Sequence, residues 1–279
     1  PTGGSSSGPT RCSSRAPTGA PRPTAIGSWW AMSTTCRPQS GAVGSHADAK
    51  LPRFLEEDFC LRSTRGPIEG ASVEDWPISY EDLEPHYAAC EALFGVAGED
   101  GANPFAAWRS TPYPLPPGDD MPMAVVTSAA AERAGLHPYR APTGINSVPA
   151  DGRPACTDCG FCGGYGCPIH AKSDPIAALQ RALRTGRCEI RPESYVSEIV
   201  LDASGRRATG VRYLDLSHHP EPPVRELRAA RAVILAAGAF ETPRLLLRQG
   251  LGGDLVGRYL TYHYQTFTLG IFEQDTGGA

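Results

Sequence analysis

The chain has 279 residues, 41% of them hydrophobic and 20% charged, with a net charge of −4. That is enough apolar material for a real core, and the mild acidity excludes the basic footprint expected of a partner for nucleic acid or an anionic membrane. No apolar run approaches the roughly 20 residues needed to span a bilayer, and no charged-then-apolar leader pattern opens the sequence.

Residues 1–50 stand apart. Gly, Ala, Pro, Ser and Thr make up 35 of them, leucine is absent, and Asp48 is the sole acid. Such a segment buries too little apolar surface to offset the entropy of ordering it. It reads either as disordered or as residues translated out of frame, with a junction at Leu51, where LPRFLEEDFCLRS begins.

From Leu51 the pattern is that of a folded chain. Ser79 predicts the N-cap of a helix, with Glu81 and Asp82 in a first turn that favours acids. Tyr80, Leu83, Tyr87, Cys90 and Phe94 form its expected apolar stripe and Gly95 its stop. The proline-rich stretch from Asn103 to Pro122 reads as an extended loop. Met123–Ala134 follows as a second helix, ended by Gly135.

Next comes CTDCGFCGGYGCP, in which Cys156, Cys159, Cys162 and Cys167 follow the spacing C-x2-C-x2-C-x4-C. Four of the nine cysteines crowd here, which favours a local metal site over a disulfide framework. Thiolates bind soft or borderline metals, and Gly160, Gly163, Gly164 and Gly166 are expected to supply turns with φ > 0. An iron–sulfur cluster, a zinc ion, and free or disulfide-paired thiols all remain open. A [3Fe–4S] cluster would use three of the four. His170 reads as a solvated loop residue with the option of ligation. Lys172 reads as a surface lysine or as a cation facing a cluster or a phosphate. Cys60, Cys90 and Cys188 are expected to be buried apolar thiols.

Beyond the cysteines, Ser173 or Asp174 caps a predicted helix with Pro175 in its first turn, Ile176, Leu179 and Leu183 on its inward face, and Gly186 at its end. YVSEIVLD and ATGVRYLD predict a hairpin turning at Ser204–Gly205. Val233–Ala236 reads as a strand buried on both faces, broken by Gly238, with Thr242–Pro243 opening a helix that Gly250 ends. A strand, a small-residue turn and a helix start is how open α/β sheets present backbone amides to a phosphate-bearing cofactor.

The letters of AVILAAGAFETPRLLLRQGLG add to this pattern. Gly238, Ala239, Thr242, Pro243, Leu245, Leu246, Gly250, Leu251 and Gly252 resemble the second signature of the glucose–methanol–choline (GMC) oxidoreductases, with Gln249 where that family usually has serine. LVGRYLTYH at 255–263 is similar to a further family stretch, with Tyr259 and Tyr262 replacing the usual Asn and Asp. DWPISYEDLEPHY and IRPESYVSEIVLD also resemble family segments, so the resemblance runs over about 58–272. It implies an α/β fold: an incomplete FAD-binding, Rossmann-like fold of GMC type with part of a substrate or cap domain. It also implies an FAD-dependent dehydrogenase of alcohols or sugars, in which the flavin takes a hydride from a CH–OH group and a histidine takes the proton. Val196 would touch the adenine of FAD, and Ala237 and Gly238 would bend beneath the dinucleotide. Some multi-subunit members carry an iron–sulfur cluster in a comparable cysteine region, which implies an electron-transfer subunit as partner.

No glycine-rich Gly-x-Gly-x-x-Gly precedes Leu51, and the family's catalytic histidine belongs to its C-terminal part, so no catalytic residue is assigned in this chain. The expectation is an internal fragment, inactive as a dehydrogenase and weak at best for FAD. Its regions are 1–50, a cap portion at 51–150, a cysteine loop at 151–172, part of the FAD-binding domain at 173–258, and the start of a substrate-domain sheet at 259–279. The rival reading is a flavin-free iron–sulfur or zinc module. The compartment reads as cytoplasmic or periplasmic.

Overall fold

In the computed structural model the described residues are 29–31, 48–260, 270, 271 and 273. The expectations for the rest of 1–47, and for Tyr262, His263 and Tyr264 as the start of a sheet, lie outside them. The chain mixes helices with sheet and divides into two units, one holding 48–174 and the other 175–260 with strand β1 (Trp29–Ala31).

The first unit is built around charge as much as around apolar packing. A 3₁₀ turn at Glu56–Cys60 leads into α1 (Leu61–Arg65), then α2 (Tyr80–Phe94) and α3 (Pro122–Arg133). Ser79 caps α2 as its sequence predicts: its side chain accepts from the Asp82 N–H while Asp82 accepts from the Ser79 N–H, and Gly95 closes the helix in the left-handed region. The inward face of α2 differs from the expected stripe. Tyr80, Glu84 and Glu91 are buried and Cys90 is exposed, so the expected burial of the Cys90 thiol is corrected. The reason is a partner distant in sequence. Arg53 sends Nε and Nη2 to the two oxygens of Glu91, both at 2.8 Å, and Nη1 to Glu84 at 3.0 Å and to the Tyr80 hydroxyl at 3.1 Å. Arg109 adds a second guanidinium on Glu91 and lies over the Tyr113 ring, 3.5 Å from its centroid. Phe54, Phe59, Trp76 and Tyr80 pack edge to face around this network.

The Glu84 carboxyl is held below its ordinary value of 4.5, chiefly by the Ser110 backbone N–H, against burial, with Arg53 and the Ser110 hydroxyl adding to the effect. A depressed carboxylate stabilises the fold fully above its unfolded value and loses that contribution as pH falls through the folded one. The stability gap between the parent chain and Glu84→Gln, measured by urea midpoints, should therefore shrink between pH 6 and pH 3. A constant gap would show that the carboxyl titrates as it does in the unfolded chain.

The second unit starts with α4 (Pro175–Arg184) and β2 (Cys188–Ile190), which pairs in parallel with β1. The predicted hairpin is present as β3 (Ser194–Leu201) and β4 (Ala208–Asp215), joined through an Asp202 carboxylate that accepts from Ser204 and Arg206. β5 (Val224–Arg228) completes an antiparallel sheet in the order β3-β4-β5. Val196, Ile199, Val211 and Tyr213 from this sheet close on Leu245 of α5 (Gly238–Arg248), with Val233, Leu235, Leu246 and Leu251 around them.

Two expectations are corrected here. Val233–Ala236 is not a strand buried on both faces: Val233 and Leu235 pack on the core, Ile234 is 60% exposed, and no ladder joins the segment among the described residues. A strand of that kind needs neighbours on both edges, and the sheet at hand is filled by β3–β5. The helix also begins at Gly238 rather than at Thr242–Pro243. Thr242 caps from within, its hydroxyl accepting from the Ala237 N–H at 3.1 Å.

Gln249 explains its departure from the family serine. Its side-chain amide accepts from the Ile199 N–H at 2.8 Å and donates to the Ile199 carbonyl at 2.9 Å. β3 is an edge strand, and this amide does for Ile199 what a further strand would do.

Candidate functional site

The cysteine loop is tied at both ends to one buried residue. Asn146, fully enclosed, accepts from the Cys156 N–H at 2.8 Å through its backbone carbonyl and donates its own N–H to the Ala171 carbonyl at 2.9 Å. Its side-chain amide donates to the carbonyls of Ala150, Arg153 and Pro154, fixing the turn that enters the loop. Beside it, Ile145 and Lys172 form an antiparallel bridge. Nothing local in Gly-Ile-Asn-Ser marks Asn146. Its importance appears only when the loop returns to it.

Cys156, Cys159, Cys162 and Cys167 line a single cavity of about 50 Å³, together with Ala171 and Lys172. The spacing therefore does what its sequence promised, bringing all four cysteines to one place. Gly160 and Gly164 take positive φ, 77° and 89°, as expected, whereas Gly163 and Gly166 do not; Asp158 and His170 make the remaining left-handed turns at 51° and 59°. His170 is exposed and does not line the cavity. Cys156, Cys159, Cys162 and Cys167 are free cysteines. Burial pushes the Cys156 and Cys162 thiols above their ordinary value.

Lys172 is not the surface lysine that one reading of the sequence allowed. It is 1% exposed, and its ammonium donates to the carbonyls of Cys162 at 2.9 Å and Tyr165 at 2.7 Å. On the outside of the same loop, Phe161 and Tyr165 meet edge to face at 6.0 Å, each 63% exposed.

Among the described residues, no three His, Cys, Asp or Glu side chains stand together as a single-ion site. The donor set, four cysteine thiols lining one cavity, is of the kind that an iron–sulfur cluster would take.

The residues expected at a flavin lie in the second unit. Gly238 has φ +89°, a conformation that disfavours any side chain, and the space a Cβ would enter is open. Ala237 precedes it as the N-cap of α5 and is half-buried. Val196 is 5% exposed, its side chain committed to the core.

The sequence profile of the GMC oxidoreductases matches residues 119–265. The chain belongs to the GMC oxidoreductase family. This GMC chain is 32% identical over 235 residues to the gluconate 2-dehydrogenase flavoprotein of Pantoea cypripedii, which covers 75% of it and 37% of that protein. It is 31% identical over 236 residues to the fructose dehydrogenase large subunit of Gluconobacter japonicus, covering 80% and 40%. It is 33% identical over 224 residues to the 6'''-hydroxyparomomycin C oxidase of Streptomyces lividus, covering 74% and 38%. The chain thus spans about two-fifths of the length of these relatives. The family is one of FAD-dependent dehydrogenases and oxidases, and its match agrees with the mixed α/β, partial flavin-binding architecture expected from the sequence. No helix among the described residues is long and apolar enough to cross a membrane.

Proposed function

We propose that this GMC chain is part of an FAD-dependent dehydrogenase of alcohols or sugars whose electrons leave through an iron–sulfur group held by Cys156, Cys159, Cys162 and Cys167. The observation that carries the finer part is the convergence of four cysteines on one cavity with a buried lysine beside them. When bound, FAD takes the two-electron hydride, and a one-electron cluster gives those electrons an exit in single steps. The protein's own contribution at the flavin is positional. Gly238, at positive φ beside open space, gives backbone room for a dinucleotide, and Ala237 opens α5.

Relatives named for gluconate and fructose make sugars and sugar acids the first substrates to try. A relative named as a large subunit makes a second, electron-accepting subunit the expected partner.

Anaerobic reconstitution of the chain with ferrous iron and sulfide tests the proposal. The expected result is a brown protein with stoichiometric iron and sulfide and an electron paramagnetic resonance (EPR) signal, absent when the four cysteines are changed to serine. Stoichiometric zinc with no iron uptake would overturn the cluster in favour of a structural metal.

A further inference from the structure

Resting on the iron–sulfur reading, we infer that Lys172 is a positioning residue for that group: a buried cation that holds the cysteine loop closed and sets how readily the group accepts an electron. Three observations carry this. First, Lys172 lines the same cavity as all four cysteines and is 1% exposed. Second, its ammonium donates to the carbonyls of Cys162 and Tyr165, so it grips the loop between the third and fourth cysteines from inside. Third, its backbone is fixed. The bridge to Ile145, and the hydrogen bond from the Asn146 N–H to the preceding Ala171 carbonyl, set where the side chain starts.

Burying an ammonium is costly, and a methionine or leucine would fill the same space without that cost. A cation here has a use that neither can supply. Each thiolate would bring a negative charge to the cavity, and one-electron reduction of a bound cluster would add another without making or breaking a bond. A fixed positive charge in a water-poor site stabilises the more negative, reduced form. Net charge and hydrogen bonding around a cluster are the levers that set its potential. Lys172 supplies the first directly.

The test uses the full chain reconstituted with iron and sulfide, in parent, Lys172→Met and Lys172→Arg forms, with redox titration followed by EPR. The inference expects Lys172→Met to shift the reduction equilibrium at least tenfold towards the oxidised form, 59 mV for one electron, with iron and sulfide content unchanged. Lys172→Arg should stay near the parent. If Lys172→Met takes up no iron while Lys172→Arg does, the charge requirement is also supported. An intact cluster with an unmoved equilibrium in Lys172→Met overturns the role of Lys172 and leaves the cluster standing. Failure of both variants beside a loaded parent shows that shape, not charge, is what the site needs, and overturns it as well. A parent chain that takes up no iron sinks the cluster reading itself, and this role with it.

Discussion

Arg53→Met is expected to cost the first unit about 3–5 kcal/mol, the range for removing one partner from a buried charge network. The side chains of Arg53, Glu84 and Glu91 are only 6%, 3% and 7% exposed, so the two carboxylates left behind cannot turn to water for compensation. Burial alone opposes the arginine's charge, yet its hydrogen bonds to Glu91, Tyr80 and Glu84 outweigh this and hold the guanidinium above its ordinary pKa. Arg109 still reaches Glu91 in the variant, but Glu84 keeps only Ser110 among the contacts described above. Urea unfolding followed by the tryptophan fluorescence of Trp76 and Trp108 should report the loss, with a fall in Tm on the order of 10 °C. Arg53→Lys should recover part of it, because the charge returns without the two-pronged grip on Glu91. A variant within about 1 kcal/mol of the parent would mean that water reaches these carboxylates and that the network is a surface feature.

The second large effect is expected at Gln249. Gln249→Leu keeps the apolar volume and removes both hydrogen bonds to Ile199, leaving a buried N–H and a buried carbonyl on the edge strand without their partner. At about 1–3 kcal/mol for each of the two unsatisfied groups, the loss should fall near 2–6 kcal/mol. Its signature is local. Amide exchange should accelerate at Ile199 and its neighbours in β3, while β4 and β5, which keep their ladder, change less. Gln249→Ser restores the residue the family usually carries, but its side chain is too short to reach both groups, so most of the loss should persist. Unaltered exchange at Ile199 in both variants would show that the amide is not the strand's edge partner.

Some sequence expectations hold and others are corrected, and the difference has one cause. Where structure is set within a few residues, the letters sufficed. Ser79 and Gly95 bound α2, Gly135 follows α3, the hairpin turns at Asp202–Gly205, and Gly238 takes a left-handed φ. The same holds for the cysteines, whose short spacing leaves them little choice but to share a cavity. The family signature is likewise a matter of letters, and the profile match over 119–265 bears it out.

Residues far apart in sequence settled the rest. Periodicity offered Cys90 a place on the buried face of α2, and Arg53 turned Glu84 and Glu91 inward instead. Four consecutive apolar residues at 233–236 read as a doubly covered strand, but coverage needs neighbours that no local pattern can supply. Lys172 looks like any loop lysine until the chain before it folds back and closes two carbonyls over its ammonium. The sequence by itself therefore determined the bounds of α2, the hairpin turn, the clustering of thiols and the family. Only tertiary structure decided which polar groups went inside, because a buried charge is tolerable only where distant parts of the chain bring it partners.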